Sequence, residues 1–215
     1  MKTLRTSIII FCVLLVVGCQ SIYYKTMETF GYHKRDLLVS RVQDARDAQE
    51  DAKEQFQSAL EKFSAVVEFR GGELEEKYKQ LNTELEKSES RAKAVRKRIS
   101  SVQDVAKALF NEWESELSQY TNDELRRASE QKLEQTQQRY TQLIGAMKRA
   151  ESKIDPVLSA FRDQVLFLKH NLNAQAIASL QDELASVETN IAALIKEMEA
   201  SIVEADAFIK AMTKE

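Results

Sequence analysis

The chain has 215 residues, with 31 Lys and Arg against 34 Asp and Glu for a formal charge of −3, and this slight acidity argues against a nucleic-acid partner. Five glycines and one proline are too few turn formers for a many-stranded sheet or a set of catalytic loops, and two cysteines are too few for a disulfide or metal framework. A composition heavy in Ala, Glu, Lys, Leu, Arg and Gln instead predicts long helices.

Lys2 and Arg5 precede an unbroken apolar run over residues 8–17. A positive start followed by a short greasy stretch is the pattern of a secretory signal. As a helix, the run covers about 15 Å, roughly half of a bilayer core, so a spanning helix is the weaker reading. The run stops at Val16-Val17-Gly18-Cys19, which resembles a bacterial lipobox. That resemblance implies cleavage between Gly18 and Cys19, transfer of a diacylglycerol to the Cys19 sulfur, and acylation of the new amine. The competing reading is an uncleaved short anchor with an inert cysteine. On the first reading residues 1–18 are a lipoprotein signal peptide that takes Cys12 with it, and the mature chain keeps no free thiol. Each buried lipid methylene contributes about 0.8 kcal/mol, so two or three acyl chains hold firmly. Gln20, standing where Asp would retain a lipoprotein at the inner membrane by analogy with enterobacterial sorting, favours the outer membrane. The expected location is the bacterial cell envelope, lipid-anchored and facing the periplasm.

Residues 19–35 form a short membrane-proximal segment with no Gly/Ser leash. Ile22, Tyr23, Tyr24, Met27 and Phe30 recur at helical spacing. They pad the membrane-proximal end of a core, or Tyr23 and Tyr24 rest at the lipid headgroups, where polar-tipped rings are favoured. Gly31 marks a break or kink.

Residues 36–215 read as a single all-α domain, an elongated antiparallel coiled-coil-like bundle. A first seam, Leu38, Val42, Ala45, Gln49, Ala52, Phe56, Ala59, Phe63 and Val66, steps by four and three and stops at Gly71-Gly72. A second runs Leu74, Tyr78, Leu81, Leu85, Ser88, Ala92, Val95, Ile99, Val102, Ala106, Leu109, Trp113, Leu117, Tyr120. Thr121 with Glu124 then predicts a capping box. A third runs Leu133, Thr136, Tyr140, Leu143, Met147, Ala150, Ile154, Val157, Phe161, Gln164 or Val165, Leu168. It keeps its phase across Asp155-Pro156, which favours a kink or in-line restart over a reversal. Asn171 then ends one helix and Asn173 caps the next. The last seam is Ile177, Leu180, Leu184, Val187, Ile191, Leu194, Met198, Ile202, Ala205, Phe208, Met212. Four helices near 36–69, 74–120, 122–170 and 174–213 with short connections predict up-down-up-down neighbours. The alternative is three helices, with the reversal at Asp155-Pro156. A hairpin at Gly71-Gly72 would lay the bases Arg91, Lys93, Arg96, Lys97 and Arg98 beside the acids Asp44, Asp47, Glu50 and Asp51.

No residue set carries recognisable catalysis or metal binding. The two histidines, His33 and His170, follow Phe30 and Phe167 at three residues, so the Glu-x-x-His unit of a di-metal bundle is missing. No phosphate-cradling loop or nucleophile elbow is present, and no cofactor is implied. Lys169, His170, Asn171 and Asn173 form the best polar cluster, more simply read as a helix end than as a binding feature. Gln49, Ser88 and Thr136 on the seams read as register-fixing polar layers.

The stretches "CQSIYYKTMETFGYHKRDLLVSRVQDARDAQEDAKEQF", "ALFNEWESELSQY" and "DPVLSAFRDQVLFLKHNLNAQAIASLQ" resemble a family of proteobacterial lipoproteins catalogued only as a domain of unknown function. The resemblance implies a secreted, lipid-anchored helical protein with Cys19 as its lipidation site and no assigned catalytic residue. The leading expectation is a non-enzymatic scaffold, spacer or adaptor that meets the membrane through Cys19 and meets an envelope protein, or a second copy of itself, through its helices. The alternative is a ligand-binding or stress-sensing lipoprotein holding a hydrophobic molecule or metal between helices, with Tyr78, Trp113, Tyr140, Met147 and Phe161 as lining.

Overall fold

The structure, a computed structural model, describes residues 34–68, 74–171 and 174–214. Gly18, Cys19, the aromatic segment before Lys34, Gly71-Gly72 and Asn173 lie outside the described residues. Four helices follow in order: α1 Lys34–Val67, α2 Leu74–Leu117, α3 Asp123–His170 and α4 Ala174–Thr213. No strand occurs among the described residues. Each helix packs on its two chain neighbours, and α4 closes the ring on α1. The connections are too short for anything but reversal, and the cross-helix pairs confirm it, early residues of one helix meeting late residues of the next. α3 has 48 residues, about 70 Å at 1.5 Å per residue, so the bundle is a rod.

The seams point inward. Every predicted α1 seam residue is buried, from Leu38 to Val66. In α2 the buried run is Leu81 to Leu109, while Tyr78, Trp113 and Leu117 pack half-buried against the core at its ends and Tyr120, past the helix end, is 42% exposed. In α3 the open choice between Gln164 and Val165 resolves to Val165. In α4 one expectation fails. Ser201, not Ile202, occupies the seam, 0% exposed, with Ile202 only half-buried. Met198, Ser201, Ala205, Phe208 and Met212 keep the three-four alternation without a slip, so the phase of the helix outranks the greasier neighbour.

Pro156 lies inside α3, which runs unbroken to His170; the three-helix alternative is thereby excluded. The predicted capping box also shifts. The N-cap of α3 is Asn122, whose Oδ1 accepts from the Glu124 and Leu125 amides at 2.9 and 3.2 Å, while its extended backbone lets the short side chain fold back over the first turn. Thr121 stands one residue too early for that. At the other end Asn171 caps α3, its amide donating to the Leu168 carbonyl at 3.2 Å and its side-chain amide to the Phe167 carbonyl at 2.9 Å.

The α1–α2 charge pairing falls where the hairpin register puts it. Arg91 meets Asp51 at 2.7 Å and Arg98 meets Asp44 at 3.0 Å. Arg96, from the same basic cluster, turns to α3 and pairs with Asp155 at 2.6 Å. Arg162 pairs with Glu89 across the same groove, and Arg46 of α1 pairs with Asp206 of α4 at 2.8 Å. Each exposed pair contributes only about 0–1 kcal/mol, but all of them agree on one antiparallel alignment.

Candidate functional site

A hollow of about 1010 Å³ lies at the end of the rod where α1 begins. Three helix termini make it. The first three turns of α1 supply Val39, Ser40 and Gln43; the end of α2 supplies Leu109, Glu112 and Trp113; α4 closes it with Met212. There the core's apolar seam runs on into a notch. Leu109 and Met212 belong to the core proper, and the notch is therefore greasy at its base and charged at its lip.

Polar contacts hold the walls. Lys34 Nζ donates to Glu112 Oε1 at 2.6 Å, joining α1 to α2. Arg35 donates to the Met212 carbonyl at 2.6 Å, tying the last turn of α4 to the start of α1; a cation there also meets the negative end of the α4 dipole. Trp113 Nε1 donates to Ser129 Oγ at 2.8 Å, which binds α2 to α3 and satisfies the ring's one polar atom. One turn below, Phe110 and Tyr140 meet edge to face with centroids 5.4 Å apart. Burial, helped by the Asp104 charge, pushes the Tyr140 hydroxyl above its ordinary pKa, so it stays neutral. Tyr120 and Leu125, 42% and 58% exposed, sit on the α2–α3 turn at this same end.

The opposite end holds the described part of the polar cluster. Lys169 and His170 are exposed in the last turn of α3, where positive charge suits the helix dipole, and Asn171 caps it. Termination of α3 accounts for all three. Of the residues expected to line a ligand cavity, only Trp113 lines the hollow. Met147 and Phe161 are 0% and 2% exposed inside the core, Tyr140 packs on Phe110, and Tyr78 lies against the core near the far end. Among the described residues no group of three His, Cys, Asp or Glu is placed to hold a metal, and no helix is long and apolar enough to cross a membrane.

Three features escape sequence reading. The hollow itself depends on how three helices come together at one end of the rod, which heptads do not encode. Glu84, 7% exposed, flanks the α2 seam beside Leu85 and accepts from Gln55 of α1 at 2.7 Å and from Lys87 at 2.8 Å. Burial works to raise its pKa, but those bonds, with the Lys62 charge, outweigh it and hold the carboxyl below its ordinary value. Ser201 was legible in the strict alternation and was masked by the more apolar Ile202.

The class of protein is thus a long antiparallel four-helix bundle with a tight core and, among the described residues, a notch at one end. The chain belongs to the family described as protein of unknown function (DUF2959), which it matches over residues 23–212; the resemblance to an uncharacterised family holds in that sense. A comparison with curated proteins finds no match.

Proposed function

We propose that the protein is a lipid-anchored component of the cell envelope that works as a scaffold, spacer or adaptor through its helical surfaces, without catalysis. The observation that carries this reading is the rod: four helices with inward seams over nearly their whole length and outer faces laced by ion pairs between helices. Such a body keeps its shape at little cost and offers long polar faces to other proteins. The lipobox-like Val16–Cys19 supplies the anchor, Cys19, and the direction. Tyr120 and Leu125 are exposed at the end from which the chain leads back to Cys19, where rings and apolar side chains meet a headgroup layer favourably. The periplasmic face of the outer membrane is the preferred location.

Cells fed a clickable fatty acid test the anchor. The native chain is expected to take the label and sediment with membranes, and Cys19→Ala to do neither. Labelling that survives Cys19→Ala, or a mature amino terminus without acyl mass, overturns it. Crosslinking in the living envelope tests the scaffold role, with a discrete adduct to one envelope protein as the expected result. The notch favours a second reading, an apolar ligand held at the bundle end beside Trp113, Leu109 and Met212.

A further inference from the structure

We propose that the outward face of α4 is a docking surface for a second copy of this chain, paired antiparallel with it about Lys196. The inference rests on the scaffold reading and names one of its helical surfaces and the partner that this surface takes.

α4 carries two lines of the three-four alternation. One is the buried seam. The other, on the opposite side of the helix, holds Ser186, Thr189, Ala193, Ala200, Val203 and Ala207, all exposed, with Lys196 keeping the step between Ala193 and Ala200. Side chains at these intervals stack along one face. On α1 the equivalent outward line is acidic, with Asp47, Asp51, Glu54 and Glu61 exposed. Val203 is 65% exposed, the most of any large apolar side chain among the described residues. Its small neighbours leave the backbone open to a second helix, since the distance between packed helices follows the size of the side chains between them.

Charge selects the occupant. Several charges of α4 serve the bundle itself: Glu197 pairs with Arg149 at 3.5 Å and Asp206 with Arg46 at 2.8 Å, and the Glu199 charge acts on Lys53. Asp182, Lys196 and Lys210 lie exposed on the outward line and make no ion pair among the described residues. Asp182 and Lys210 are equally far along the helix from Lys196, as are Thr189 and Val203. A two-fold axis through Lys196 therefore sets Asp182 against the partner's Lys210 at both ends of the contact, and Val203 against the partner's Thr189. That is the self-complementarity a closed dimer requires. Parallel pairing in register would set like on like at all three charges. From Asp182 to Lys210 the line runs about 42 Å. A strip of that length, one helix wide, buries about 400 Å² per copy, below the ~800 Å² of a standard stable interface, so the pair forms reversibly as concentration rises. With both anchors in one leaflet, such a pair lies along the membrane, held at each end, instead of standing on it.

Sedimentation equilibrium tests this on the chain of residues 19–215 carrying Cys19→Ser, which keeps the whole bundle and has no other thiol. Monomer and dimer in exchange are expected. Asp182→Lys or Lys210→Glu alone is expected to weaken the dimer severalfold, and the two combined to recover it. Val203→Glu, at an exposed position where the fold has little at stake, is expected to leave monomer only. In the same chain Lys196→Cys is expected to oxidise to a disulfide-linked dimer, because the axis sets this position against itself. Val203→Cys is expected not to, its copy lying about 21 Å away along the paired helices. This arm decides the matter should a charge variant fail to fold. A chain that stays monomeric at its highest soluble concentration overturns the inference. So does a disulfide from Val203→Cys as readily as from Lys196→Cys, the mark of parallel or unspecific contact. In cells, a photocrosslinker at Val203 that joins the chain to a different envelope protein and not to itself also overturns it, while the scaffold reading stands. None of these outcomes touches the anchor at Cys19.

Discussion

Around Phe56, Phe63 and Phe161 the core is aromatic and closed, whereas around Gln49 and Ser201 it is polar and thinly furnished. Phe63 of α1 and Phe161 of α3 meet across the bundle's diagonal, edge to face, with ring centroids 6.2 Å apart and planes at 90°. Gln49 has Ala45 and Ala52 as its seam neighbours, and Ser201 is followed by Ala205. Both lie in one section of the rod, bracketed by the Arg46–Asp206 pair and by the interaction of the Lys53 and Glu199 charges. Both are 0% exposed, yet Gln49 Oε1 and Nε2 and Ser201 Oγ have no hydrogen-bond partner. Ser88 and Thr136, the other polar seam residues, avoid that cost by donating to carbonyls of their own helices, at 2.7 and 2.8 Å. Phase alone decides which residues are buried; what stands at the buried positions decides whether burial stabilises.

The comparison breaks first at its aromatic side. Phe63→Ala is expected to cost about 3–5 kcal/mol, since it removes a large buried side chain and leaves Phe161 facing a void. Guanidinium unfolding would show a lower midpoint with little change in slope. A loss below about 1 kcal/mol would mean that this section repacks freely and is no tighter than the one around Gln49.

The polar side predicts the opposite sign. Gln49→Leu deletes two unpaired buried polar atoms and keeps an apolar side chain of similar size, so it is expected to stabilise by about 1–3 kcal/mol. A seam glutamine without a partner is otherwise hard to account for on energetic grounds, and its best-attested use is to penalise wrong registers and wrong oligomers. The more stable variant should therefore show extra species on sizing at high concentration. If Gln49→Leu instead destabilises the chain, Gln49 is hydrogen-bonded in solution, and the contrast between the two sections disappears.

These residues also show what the sequence could and could not disclose. Gln49 was legible as a buried polar layer because a strict alternation leaves one residue no choice of face. The same rule would have found Ser201, and a preference for the greasier Ile202 hid it. Pro156 is legible as no reversal because the heptad holds its phase across it, and Asn171 is legible as a helix end. Asn122 was missed by one position, since Thr121 offers an equally good cap in sequence and only the backbone angle decides. Glu84 and the notch left no trace. A residue flanking a seam is buried or exposed according to the tilt of two helices, and a hollow at a bundle end depends on how the helices come together there. Both are properties of packing between elements, whereas periodicity is a property of one element at a time.

Glu84 gives the smallest and most specific test, because it is charged where Gln49 is neutral and satisfied where Gln49 is not. Its folded pKa lies below the ordinary value of 4.5, which stands for the unfolded chain. The ionised form is thus favoured by folding, and the resulting stability is fully present above pH 4.5 and is lost as the pH falls through the lower, folded value. At neutral pH, Glu84→Gln can keep the hydrogen bond to Gln55 and forfeits the ion pair with Lys87, an i,i+3 contact worth about 0.3–0.5 kcal/mol. In acid the native chain loses that advantage and the variant has none to lose, so the two denaturation midpoints should converge below pH 4.5. Midpoints that stay parallel through the acid range would show that the bonds from Gln55 and Lys87 only offset the cost of burying the carboxylate. Glu84 would then stand with Gln49 as a tolerated expense of the core, and the division between satisfied and unsatisfied polar burial would carry no thermodynamic weight in this bundle.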